Sequence, residues 1–192
     1  GNAKGELYLS DLAGRPPRNV GQKLPAAVTA LAASPDGKLF FAGCSDGSTH
    51  LVSLAEGVKI ASFSDHKSSV TTVAFSPKKN LMASCELAGK AVIRTREAES
   101  KPVFLEGHSA RFDNIDFSPD GTRVLTSGPG APPALWGSAD GAFLLHFQVE
   151  LENVVTARFA RDGQGVSVAC RSGRILFCET STGLTYNRIT LP

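Results

Sequence analysis

The sequence predicts an all-β fold built from a repeated four-stranded antiparallel unit. Three observations carry that expectation. The tetrapeptide Ser34-Pro35-Asp36-Gly37 returns as Ser76-Pro77-Lys78-Lys79, as Ser118-Pro119-Asp120-Gly121 and, more weakly, as Ala160-Arg161-Asp162-Gly163, each 42 residues after the last. A second marker keeps the same step at Gly5, Gly47, Gly89, Ala131 and Gly173. No stretch holds a helical apolar period over a useful length. A period of about 20–50 residues marks a repeat architecture whose units share one continuous core.

The elements follow in chain order. Gly5 to Leu12 aligns with Gly47 to Leu54 and so reads as a third strand, with Val20 to Leu24 as the fourth. Residues 4–24 are therefore half a unit. Complete units are predicted at 28–63, 70–105, 112–147 and 154–191. Each opens on a β-rich run, such as Val70 to Phe75, Phe112 to Phe117 or Val154 to Phe159. The Ser-Pro-Asp-Gly turn follows, with Pro fixing φ and Gly free to take positive φ. A short apolar second strand, a Gly-containing turn, a third strand and a fourth complete a meander. Phe75, Phe117 and Phe159 share one repeat position, and Leu51, Ile93, Leu135 and Phe177 share another, as stacked sheets would require of their cores. In the third unit Ser127 to Pro133 carries three prolines, so strand pairing is expected to start late, near Ala134. Arg15-Pro16-Pro17-Arg18 reads as an extended linker.

Composition narrows the chemistry. Apolar residues make up 42% and charged residues 20%, with net charge +2. Such a balance gives no field to recruit nucleic acid or an anionic membrane. No apolar run approaches a membrane span, and no signal-peptide pattern is present. Cys44, Cys85, Cys170 and Cys178 form no Cys-x-x-Cys pair and read as reduced, buried thiols. They point to an intracellular compartment, the cytoplasm ahead of the nucleus. There is no Gly-rich phosphate loop, metal-ligand cluster or nucleophile motif, so no catalytic residue, metal or cofactor is expected.

The run from Gly107-His108 through Ser118-Pro119-Asp120-Gly121 to Leu135-Trp136 resembles the WD-repeat (WD40) family. The resemblance extends along nearly the whole chain and implies a β-propeller of four-stranded blades. It also implies a His, Ser/Thr, Asp and Trp hydrogen-bond network within blades. The third complete unit offers His108, Thr126 and Trp136, with Gly130 where Asp is expected. The second keeps His66 and Ser84, with Ala88 and Arg94 in the other places. The first keeps only Asp46, and the fourth none.

Four blades and a half fall short of the seven usual in the family. Three readings follow: part of a larger propeller, a partial ring completed by a second copy or another chain, or a small ring with diverged blades. The resemblance implies a non-catalytic scaffold for protein–protein interaction. The alternatives are a propeller enzyme, a small-ligand-binding propeller or a component of an RNA–protein assembly. Partners in the family commonly bind the face made by loops leading into first strands and loops joining second to third strands. Here those loops offer Lys67, Ser69, Arg111, Phe112, Asn153, Asp46, Lys90 and Arg171. Arg111 and Phe112 are the leading contacts, since Arg and aromatics anchor interfaces. Phe112 also shares the repeat position of Val70 and Val154, which equally suits burial.

Overall fold

The computed structural model describes residues 1–10, 13, 16–106, 111–149 and 154–190. Among these residues the chain forms strands and no helix. A two-stranded sheet, β1 (Tyr8–Leu9) and β2 (Arg18–Asn19), precedes four sheets of four antiparallel strands. The first full sheet holds β3 (Val28–Ala33), β4 (Leu39–Cys44), β5 (Thr49–Ser53) and β6 (Lys59–Phe63). The second holds β7 (Val70–Phe75), β8 (Leu81–Glu86), β9 (Ala91–Thr95) and β10 (Val103–Leu105). The third holds β11 (Asn114–Phe117), β12 (Arg123–Gly128), β13 (Ala131–Gly137) and β14 (Phe143–His146). The fourth holds β15 (Val154–Phe159), β16 (Gly165–Cys170), β17 (Arg174–Glu179) and β18 (Thr185–Thr190). Strand order within each full sheet follows the chain, and the first strands β3, β7, β11 and β15 neighbour one another in series.

Turn chemistry sets these boundaries. In the first full sheet Gly37 takes φ 67° while Leu39 N–H donates to Ser34 Oγ at 2.9 Å. In the third, Gly121 takes φ 72° and Arg123 N–H donates to Ser118 Oγ at 2.9 Å. The Ser hydroxyls in turn donate to Asp36 and Asp120, each at 2.5 Å. These bonds hold Asp120 at about 2, below the usual carboxylate range.

Two expectations need correction. The proline-rich segment does not delay pairing to Ala134. Pro129 and Gly130 form a two-residue turn, with Gly130 at φ 87°, and Gly128 pairs with Ala131. The prolines are accommodated because the register slips between Thr126 and Gly128, and because β14 begins pairing only at Ala134. The linker assignment at Arg18 also fails: Leu9 pairs with Arg18 and Tyr8 with Asn19. The ladder then continues through Val20 N–H to Leu7 O and Leu24 N–H to Gly5 O.

Consecutive sheets pack face to face through four apolar clusters. Leu7 and Leu24 of the half sheet meet Ala42, Cys44 and Val52. Phe41, Leu51 and Phe63 meet Val70, Val73 and Met82. Ile93 and Leu105 meet Phe112, Ile115 and Val124. Leu125, Leu135 and Phe147 meet Val154, Ala157 and Val166. Each fully buried Leu, Ile or Phe contributes about 1.5–3 kcal/mol, so these rows dominate stability. Burial along one repeat row changes at the fourth sheet among the described residues. Phe63, Leu105 and Phe147 are buried, whereas Ile189 at the same repeat position is 47% exposed. All four cysteines are free and buried, and burial pushes the Cys44, Cys85 and Cys178 thiols up, leaving them protonated.

Candidate functional site

Two polar networks lie inside the sheets. Trp136 Nε1–H donates to Thr126 Oγ1 at 2.8 Å in a fully buried setting. His66 Nε2 lies 2.7 Å from Ser84 Oγ. Among the described residues the buried His66 Nδ1 has no hydrogen-bond partner. Arg94 takes the tryptophan place in that sheet. Its guanidinium grips Asp65 through Nε at 2.5 Å and Nη2 at 2.7 Å, and lies 4.6 Å from the centre of the Phe63 ring. His108 falls outside the described residues.

The loops leading into first strands and those joining second to third strands form one face, here the upper face. Glu86 braces it from below. Its carboxylate is buried and accepts Lys67 N–H and Ser68 N–H at 2.7 Å each, and Ser68 Oγ at 3.0 Å. Burial alone would raise the Glu86 pKa; these donors outweigh it and lower it.

Bulges then aim side chains into this face. The first-strand ladders slip between Val28 and Ala30, Val70 and Thr72, and Val154 and Thr156. Thr29, Thr71 and Val155 therefore leave the ladder, as a bulge residue does. Asp113 holds the same repeat position in the third sheet. Beside it, Arg111 Nε–H donates to Asp113 at 2.5 Å across a half-exposed ion pair. Two concavities open here. One, about 390 Å³, is lined by Thr29, Ser69, Thr71, Leu87, Arg111 and Asp113, with Val70 beneath. The other, about 360 Å³, is lined by Asp113, Pro129, Val154, Val155 and Arg171. Asp113 belongs to both.

The structure thus gathers Ser69, Arg111 and Arg171 around Asp113. Lys67 is exposed nearby on the loop that Glu86 holds. Asp46 is exposed but turned inward on its own loop, accepting Ser48 N–H at 3.0 Å and Ser48 Oγ at 2.6 Å. Lys90 is engaged within its sheet: Nζ donates to Asp65 O at 2.9 Å and lies 4.2 Å from the Phe104 ring centre. Phe112 is corrected from contact to core, because its side chain is fully buried against Ile115 and Trp136. Asn153 lies outside the described residues. Asp113 and Val155 were missed as face residues, and Leu87 was not among the leading contacts. The signal that would have found them is variation at a fixed repeat position beside a constantly apolar one: Thr29, Thr71, Asp113 and Val155 follow Val28, Val70, Phe112 and Val154 in turn. Among the described residues no group of three His, Cys, Asp or Glu is placed to hold a metal ion, and no helix is long and apolar enough to cross a membrane.

Four-stranded antiparallel meanders at a 42-residue period, with Trp–Thr and His–Ser bonds inside them, have the build of WD-repeat β-propeller blades, and two comparisons support a likeness to that family. Residues 3–78 match the family described as the anaphase-promoting complex subunit 4 WD40 domain. The chain is also 34% identical over 102 residues to actin-interacting protein 1-2 of Arabidopsis thaliana. That match covers 52% of this chain and 17% of the relative's length. WD-repeat propellers serve in general as protein-interaction scaffolds.

Proposed function

We propose that the chain is a non-catalytic scaffold that binds other proteins through its upper face, its half blade and four blades acting as one propeller region. The observation that carries this reading is the contrast along the first strands. Val70, Phe112 and Val154 are buried alike, while the next residues, Thr71, Asp113 and Val155, differ in chemistry. A core position is constrained by packing against the next sheet; a facing position that varies is free to suit a partner. Both relatives bear names that refer to other proteins, one a complex subunit and one an actin-interacting protein. The buried free thiols fit a reducing, intracellular setting.

The test is affinity capture from an extract of the source cells by the wild-type chain, by Arg111→Glu with Arg171→Glu, and by Lys38→Glu. Lys38 is exposed on a turn of the opposite face. Proteins kept by the wild type and by Lys38→Glu but depleted about tenfold or more by the double variant support the reading. An identical profile for all three chains overturns it.

A further inference from the structure

We infer that the upper face takes an extended acidic segment, one whose carboxylate side chains alternate with aliphatic ones; this rests on the scaffold reading above. Two arginines flank one carboxylate: Arg111 lines the first concavity, Arg171 the second, and Asp113 both. Asp113 occupies only Arg111 Nε among the described residues. Among the described residues the two terminal nitrogens of that guanidinium have no partner, which suits a second carboxylate, and the ion pair orients the fork. Arg171 is exposed and has no hydrogen bond or ion pair among the described residues. Lys67 adds another exposed cation beside the first concavity. The described charge of this patch is thus net positive on a chain whose whole balance is only +2.

Each concavity also carries an exposed aliphatic side chain, Leu87 at 45% and Val155 at 51%. A cation beside an aliphatic group, twice over in neighbouring blades, matches alternation of acidic and aliphatic side chains along one strand-like segment. Volumes of about 390 and 360 Å³ accept side chains rather than a folded domain. Asp113 opposes a densely charged polyphosphate backbone, which favours a peptide over a nucleic acid.

The test is fluorescence anisotropy with labelled Ser-Leu-Glu-Leu-Glu-Leu-Ser and its Gln, Lys and Ser-for-Leu counterparts, using the wild type, Arg111→Gln, Arg171→Gln and Asp113→Asn. The Glu–Leu peptide is expected to bind at least about tenfold more tightly than the Gln–Leu peptide, since charge-assisted bonds exceed neutral ones. Its affinity should weaken with added salt and fall about fivefold or more in each arginine variant. Equal binding of the Gln–Leu peptide, or no loss in the arginine variants, overturns the inference. Preferential binding of the Lys–Leu peptide, abolished in Asp113→Asn, would overturn it while leaving the scaffold reading intact. Failure of every peptide, together with an unchanged capture profile, would defeat both.

Discussion

At the residue scale, buried polar groups dictate how the fold answers to pH. Burial holds His50 and His66 below the ordinary histidine range, so both are neutral in the fold. The unfolded chain takes up these protons first as pH falls through about 6.5. Their contribution is therefore whole above that pH and declines below it. We expect the unfolding free energy to fall between about pH 7 and pH 5, by up to about 1.4 kcal/mol per pH unit for each histidine, and the melting temperature to fall with it. His66→Gln should flatten that slope in a thermal scan, and an unchanged slope would contradict the assignment. Asp120 acts in a separate window. Its depressed pKa of about 2 means its turn bonds weaken only as pH falls from about 4 toward 2. The Trp136–Thr126 bond and the His66–Ser84 bond were expected from the sequence only through its resemblance to the WD-repeat family, whose blades share such a network. The role of Glu86 was not: no pattern announces that two loop N–H groups need a buried acceptor. The same holds between blades, where Asn114 Nδ2 donates to Ala157 O at 2.7 Å and Ser127 Oγ accepts Ala157 N–H at 3.0 Å.

At the element scale, the hairpin joining β12 to β13 links the fold to the candidate site. Gly128 is buried, and a Cβ added there would lie 2.1 Å from Arg111 O and 3.1 Å from Asp113 N. Gly130 sits at positive φ with open space around it. The two glycines therefore make a paired prediction. Gly130→Ala should cost about 1 kcal/mol from its left-handed backbone alone, and leave capture of partners unchanged. Gly128→Ala must displace the Arg111–Asp113 backbone; it should destabilise by more and also weaken binding of the acidic peptide. Equal effects of the two on binding would separate the hairpin from the face. Strand existence was readable from alternation and turn residues, yet this hairpin was misplaced. Proline was weighed as a lost donor, whereas Pro129-Gly130 suits the central positions of a tight turn. The first-strand bulges were equally hidden. A bulge changes which face a residue meets without changing composition.

At the scale of the whole molecule, the period counted the blades because each core row needs the same residue class every 42 positions. What it could not convey is which rows are covered, since coverage depends on the neighbour. Leu51, Ile93 and Leu135 are buried by the following sheet, whereas Phe177 in the same row is only partly buried. Ile189 lies on that face, paired across the ladder with Ile175, and no further sheet covers it among the described residues. Among the described residues this flank leaves an apolar strip uncovered, which the chain's ordinary charge does not suggest. Salts such as ammonium sulfate are excluded from protein surfaces and favour whatever hides apolar area. The isolated chain should therefore salt out early, and Ile189→Asp should raise the ammonium sulfate concentration needed while changing the unfolding free energy by no more than about 0.5 kcal/mol. Precipitation curves that coincide would mean the flank already lies sheltered, and that solubility in this protein is decided elsewhere on its surface.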